Sequence, residues 1–136
     1  MTAVASADLK IKLKSLLGGG ATTERQALEA FAVLNLGLIE SLRSGTISAN
    51  DGVVRFYNAA NCLFVRRKMK NSLCDEIMSR GVQLPDLFDA LSPSTARRQF
   101  AAELNTMGTL CLKLLRGVEK KRNNAMVRAG ARRRAG

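Results

Sequence analysis

The sequence predicts an all-α protein, a compact bundle of about five helices followed by a disordered basic C-terminal tail. Its apolar residues are mainly aliphatic, with five Phe, one Tyr and no Trp in 136 residues, and such a composition suits helices better than sheets. The two prolines, Pro85 and Pro93, lie close together and leave long stretches on either side free to be helical. Apolar side chains also recur at helical spacing along most of the chain.

The first segment, residues 8–17, fits two structures. Apolar residues at positions 9, 11 and 13 alternate with lysines, as in a strand, whereas positions 9, 13, 16 and 17 form a helical stripe. No convincing second strand is present to pair with it, and a lone strand would leave backbone groups without partners. Helix is therefore the preferred prediction, with strand as the open alternative.

The second helix is expected to be the central, buried one. Thr22 or Thr23 caps its N-terminus, and apolar residues follow through Leu42 on nearly all faces. Gly45 then supplies a left-handed C-terminal stop. Two asparagines inside apolar stretches, Asn35 and Asn61, are expected to be hydrogen-bonded structural positions.

A third helix is predicted to start at a cap formed by Ser48 and Asp51. Capping explains Asp51 better than a calcium loop, because the alternating oxygen ligands of such a loop are missing. The helix then continues into a basic cluster of Arg66, Arg67, Lys68 and Lys70.

Two further helices are predicted before the last one. The fourth covers Ser72 to Arg80 and closes at Gly81. A short helix follows from Leu84 to Leu91, with a proline in its first turn.

The last helix is predicted to start near Pro93 and to be long. Its apolar residues are spaced alternately by four and three, which is typical of packing against neighbouring helices or against a second copy in a homodimer. These residues are Phe100, Leu104, Met107, Cys111, Leu114 and Val118. The pattern fades near residue 123, so the domain is predicted to cover residues 1–122 and the tail residues 123–136.

The charge is concentrated at the C-terminus. Residues 117–136 hold seven Lys or Arg and one Glu, within a chain of net charge +11. A basic tail attracts polyanions through counterion release, which favours contact with nucleic acid or an acidic partner; a solubilising tail that binds nothing is the alternative. The candidate binding residues are Lys120, Lys121, Arg122, Arg128, Arg132, Arg133 and Arg134, with the basic cluster as a second group.

The sequence contains no histidine, which excludes Ser-His-Asp and Cys-His catalysis and histidine metal sites. The glycine run before Thr22 lacks the lysine and the preceding strand of a phosphate-binding loop. Asp86 and Asp89 share a helical face, but acids in the first turn that stabilise a helix N-terminus explain them better than an acid–base pair does. With Leu84 and Phe88 they form a candidate partner surface.

Three cysteines at wide spacings, Cys62, Cys74 and Cys111, indicate buried, reduced thiols rather than zinc ligands or disulfides. Reduced thiols, with no signal peptide and no segment long enough to span a membrane, predict a cytoplasmic protein. No cofactor is expected.

Two stretches, residues 36–48 and 76–91, resemble an uncharacterised family of small all-helical bacterial domains of unknown function. The shared features are a helix followed by a Ser-Gly-x-Ile-Ser turn and a later Gly-x-x-Leu-x-Asp-like segment. The resemblance covers about half of the chain. It implies a helical fold and a bacterial origin, and it implies no activity, site or role for the tail.

The first functional hypothesis is a small non-enzymatic binding or regulatory protein, whose body docks a partner and whose tail contacts nucleic acid or an acidic protein. The alternative is a protein-interaction module, of immunity or adaptor type, with an inert tail. An enzyme that uses the carboxylates ranks third, because the motifs of a catalytic site are missing.

Overall fold

The computed structural model describes the backbone of residues 9–135 and the side chains of residues 9–130. Within residues 9–135 every regular element is helical, which confirms the all-α prediction. The elements are α1 (Leu13–Leu17), α2 (Glu24–Arg43), α3 (Ala49–Arg55), α4 (Ala59–Phe64), a π-helical turn (Val65–Met69), α5 (Ser72–Ala90) and α6 (Pro93–Ala135).

Helix α2 is the central helix that its apolar pattern predicts. Thr23 forms a capping box with Gln26, so two backbone N–H groups at the helix N-terminus have partners. Beyond the C-terminus, Gly45 adopts the predicted left-handed conformation with φ of 78°. Seven residues of α2 are buried, and Phe31 and Ala32 are fully enclosed.

The predicted third helix is interrupted. It begins at the Ser48–Asp51 capping box as expected, but α3 ends at Arg55. Asn58 then caps a new helix, because its side-chain oxygen accepts a hydrogen bond from the Asn61 backbone at 3.0 Å. The interruption turns Phe56 and Tyr57 into the core, where both are almost completely buried.

The fourth helix does not end at Gly81. Helix α5 continues through Gly81 and Pro85 to Ala90, so the two predicted helices are one. Gly81 is instead a packing position: a Cβ atom there would lie 2.3 Å from Cδ1 of Tyr57. Glycine is required at this position because it leaves room for the tyrosine ring. In the sequence, a packing glycine of this kind cannot be distinguished from a glycine that ends a helix.

Helix α6 packs against α2 and α5. The predicted stripe of alternating spacing forms this contact, with Leu104, Met107 and Cys111 fully buried and Phe100 half-buried. The stripe that suggested a homodimer is therefore occupied by the chain's own helices. The backbone of α6 is helical through Ala135, and the boundary predicted at residue 122 stays a prediction.

The helix prediction for the N-terminal segment is confirmed in part. Leu13–Leu17 is helical, whereas residues 9–12 belong to no regular element. The backbone N–H of Ile11 donates to the carbonyl of Arg55 at 2.8 Å. Asn61 fixes the segment further, because it accepts from the Leu13 N–H at 3.0 Å and donates to the Ile11 carbonyl at 2.7 Å. Residue 8 lies outside the described residues.

Candidate functional site

The last turns of α6 form the first candidate site. Residues 119–129 are all exposed, including Lys120, Lys121, Arg122 and Arg128. Arg122 forms an ion pair with Glu119, and among the described residues no carboxylate lies within ion-pair distance of the other three cations. Residues 132–134 continue the helical backbone, and their side chains lie outside the described part. We call residues 119–135 the basic extension.

The apolar residues of α6 from Phe100 to Val118 form what we call the core stripe. The basic extension continues the spacing of the core stripe, but with cationic and small residues in place of large apolar ones. Continuing the alternation of three and four residues beyond Val118 reaches positions 121, 125, 128 and 132, where the residues are Lys, Ala, Arg and Arg. These positions fall on the helical face that is apolar and buried as far as Val118. These positions offer no large apolar side chain to bury, and the described side chains of the stripe beyond Val118, through residue 128, are exposed.

A second candidate site is a groove of about 1230 Å³ on the body, which the sequence did not predict. One wall is the N-terminal segment with α1, a second is the start of α2, and a third is α4 with the π-helical turn. No residue of α5 or α6 lines it. We call it the N-terminal groove.

The lining of the N-terminal groove is mostly apolar, with cationic side chains among it. Val54 and Leu63 line the groove and remain 51% and 43% exposed. Six lining residues are cationic, against the single carboxylate of Glu24; they are Lys10, Lys12, Lys14, Arg67, Lys68 and Lys70. Among the described residues, no carboxylate lies within ion-pair distance of any of these six.

The groove depends on Asn61. Its side-chain amide holds the N-terminal segment at Ile11 and Leu13, and it also donates to the Phe56 carbonyl at 2.8 Å. Asn61 is 3% exposed, so these hydrogen bonds are shielded from water. As predicted for Asn61 and Asn35, both are buried hydrogen-bonded positions; Asn35 accepts from the Tyr57 hydroxyl at 2.9 Å.

The structure divides the basic cluster that the sequence grouped together. Arg67, Lys68 and Lys70 line the N-terminal groove, whereas Arg66 is exposed outside it. The left-handed conformation of Lys70, with φ of 47°, ends the π-helical turn. The lysines at positions 10, 12 and 14 join this group because the chain brings two segments about fifty residues apart to the same groove.

Only part of the predicted partner surface on α5 is at the surface. Leu84 is fully buried, so its assignment to that surface was wrong. Asp86 and Asp89 are exposed and lie in the last turns of α5, not in a first turn, since the helix starts at Ser72. Phe88 is 45% exposed and packs edge-on against Phe100, with ring centroids 5.2 Å apart.

The three cysteines are free thiols, as predicted. Cys74 and Cys111 are buried and Cys62 is half-buried. Burial raises the pKa of all three thiols, to about 12 for Cys74 and about 11 for Cys111. At Cys62 the effect of burial on the pKa outweighs the lowering effect of Arg66, and thiols with raised pKa values are poor nucleophiles at neutral pH.

Among the described residues, no group of three or more Cys, Asp or Glu side chains is placed to hold a metal ion. Nor does any described helix combine the length and apolarity needed to cross a bilayer.

A scan against protein-family models and searches of curated proteins and of solved structures give no match to this chain. The resemblance of residues 36–48 and 76–91 to a bacterial domain family therefore stays a prediction.

Proposed function

We propose that this protein is a non-enzymatic binding protein whose basic extension contacts duplex nucleic acid without reading its sequence. The observation that carries the proposal is the continuation of the core stripe at positions 121, 125, 128 and 132 with cationic and small residues, on a helix whose side chains are exposed from residue 119 through residue 129. A helical face with that composition gains nothing from an apolar partner and attracts phosphates.

The dimensions of the extension suit a duplex. Positions 121 and 132 are eleven residues apart, which corresponds to about 16 Å along a helix at about 1.5 Å per residue. This length is comparable with the width of the major groove of DNA, about 12 Å, so cations at its two ends can reach phosphates on either side. Arginine dominates the extension after Arg122, and its planar fork binds phosphate well.

The predicted disorder of residues 123–136 becomes part of this proposal. Exposed helices without packing are marginal in water, so the free extension exchanges between helix and coil. Neutralisation of its cations by phosphates relieves their mutual repulsion and favours the helix. Binding to a duplex should therefore increase the helical signal of the protein in circular dichroism.

Salt dependence tests the proposal. Affinity for a fluorescein-labelled duplex is measured by anisotropy across a series of salt concentrations, for the full chain and for a variant truncated after Arg122. Each phosphate contact contributes about −0.9 to the slope of log affinity against log salt, so loss of four arginines should flatten the slope by up to about 3.6. Binding that is absent at low salt, or a slope that the truncation leaves unchanged, contradicts the proposal.

A matched control uses the other end of the same helix. Arg97 and Arg98 are exposed near the N-terminus of α6, outside the basic extension. The double variant Arg97→Gln/Arg98→Gln removes two positive charges without touching the proposed site, and its slope should stay within about one unit of that of the full chain. A flattening of about 1.8, in proportion to the two charges removed, would mean that total charge, rather than the extension, determines binding.

A further inference from the structure

The N-terminal groove has no role in the binding proposed for the basic extension, because α6 contributes no residue to it. The groove combines a mostly apolar lining with six cationic side chains, and the described residues hold no carboxylate that pairs with them. Two of its aliphatic residues, Val54 and Leu63, remain about half exposed. Among the described residues, Glu24 is the only carboxylate that lines the groove, against six cations, and its two half-exposed aliphatic side chains remain open to solvent.

We propose that the N-terminal groove docks an acidic amphipathic helix of a partner protein. Such a helix has an apolar face, which covers Val54 and Leu63, and carboxylates along its flanks, which meet the lysines and arginine at the rim. Charge complementarity of this kind determines the orientation of the partner and accelerates association. One such helix would therefore contact both the aliphatic lining and the cationic side chains of the groove.

The size of the groove favours a helical segment over a small molecule. Pockets for small ligands occupy about 300 to 1,000 Å³, whereas this groove measures about 1230 Å³ and is open to solvent. A helix about 10 to 12 Å across fills that volume with about 11 to 16 Å of its length, which is two to three turns.

The cations are spread over two walls, which also favours an extended acidic partner. Lys10, Lys12 and Lys14 come from the N-terminal segment, and the remaining three come from residues 67–70. A single anionic headgroup would be placed close to only some of them. A helix with carboxylates on both flanks of its apolar face can approach both walls at once.

A peptide provides the test. The probe is a fluorescein-labelled peptide of about fourteen residues made of Leu and Glu, with Leu at positions i, i+3, i+4 and i+7 so that one face is apolar. Its control has the same composition in an order that puts no two Leu residues on one face. Anisotropy should show saturable binding of the probe to the full chain and binding at least about tenfold weaker for the control.

Two substitutions in the groove, each with a matched control, locate the binding. Leu63→Gln and Lys68→Glu change exposed groove residues, and each should weaken probe binding about tenfold or more. Val33→Gln and Lys113→Glu introduce the same residues at exposed positions outside the groove, and each should change the affinity less than about twofold. Equal effects inside and outside the groove, or no saturable binding, would overturn the proposal.

Other occupants give distinct results that would also overturn it. Binding of vesicles containing anionic phospholipid, lost in Leu63→Gln while the peptide fails to bind, would assign the groove to a lipid surface. A change of sedimentation coefficient in Leu63→Gln would assign it to a second copy of this chain. A rise in probe affinity of about tenfold when residues 1–7 are removed would assign it to the chain's own N-terminus.

The variant truncated after Arg122 distinguishes peptide binding in the groove from binding by the basic extension. Probe affinity should stay within about twofold in the truncated variant, while the salt dependence of the duplex binding proposed above is flattened. Loss of probe binding in the truncated variant would show that the extension, and not the groove, attracts the acidic peptide.

Discussion

Replacement of Gly81 by alanine should destabilise this protein strongly, although alanine is the better residue for a helix interior. The Cβ atom of alanine would lie 2.3 Å from Cδ1 and 2.4 Å from Cγ of Tyr57. The ring would have to retreat by about 1 Å to reach the usual carbon–carbon contact distance of about 3.5 Å. This movement is hindered on two sides of the Tyr57 ring. Gly52 lies near Cδ2 at the opposite edge, and the Phe56 ring packs edge-on against the Tyr57 ring.

The magnitude of this change in the free energy of unfolding follows from two destabilising contributions and one stabilising contribution. Overpacking in a closed core costs about 1–3 kcal/mol. Movement of the ring also breaks the hydrogen bond from Tyr57 to Asn35, and loss of a buried hydrogen bond costs about 1–3 kcal/mol. Exchange of glycine for alanine in a helix returns about 1 kcal/mol. Gly81→Ala should therefore lower the free energy of unfolding by about 3 kcal/mol.

Urea denaturation followed by circular dichroism measures this change. Gly117→Ala is the matched control, because Gly117 is an exposed position in α6 with no atom within 4 Å of the added Cβ; it should raise the free energy of unfolding by about 0.5–1 kcal/mol. In a Tyr57→Leu background, where the clash is relieved, Gly81→Ala should cost less than about 1 kcal/mol. A Gly81→Ala protein as stable as the original would refute the reasoning.

Three further predictions concern other parts of the fold. Asn61→Ala should lower the free energy of unfolding by about 3 kcal/mol, since it leaves buried backbone groups without partners, and should speed hydrogen exchange of the Leu13 amide. Hydrogen bonds with Ser48 hold the pKa of Asp51 below its usual 3.8. The ionised carboxylate therefore stabilises the fold above about pH 4, and this contribution is lost as the pH falls further. Asp51→Asn should remove this part of the pH dependence of stability, as measured by thermal unfolding. Maleimide labelling of the native protein at pH 7, read by mass spectrometry, should modify Cys62 faster than the two buried thiols, and equal rates for all three would contradict their burial.

Local signals in the sequence were sufficient for most of the fold. The capping residues Thr23 and Ser48, the left-handed Gly45 and the stripe along the last helix all specify structure through contacts within a few residues. They predicted the all-α class and the positions of α2, α3 and α6. The buried asparagines were also predicted, because an amide in an apolar stretch needs hydrogen-bond partners.

The sequence predicted one of the two candidate sites, the basic extension, and did not predict the N-terminal groove. The basic residues at positions 120–134 could be named from charge alone, because an exposed run of cations depends on no tertiary contact. The N-terminal groove could not, because its cations come from segments about fifty residues apart. The one signal for it was the alternation of apolar residues and lysines at positions 9–14, which indicates a segment with an inner and an outer face.

The sequence by itself determined the helical class, the helix caps and the concentration of charge at the C-terminus, because these follow from the chemistry of neighbouring residues. Tertiary structure decided what Gly81 does, since only the position of the Tyr57 ring distinguishes a packing glycine from a helix stop. It also decided that Leu84 is core, and that two basic segments share one groove. Each of these depends on which distant residue becomes a neighbour, and a single sequence does not specify that.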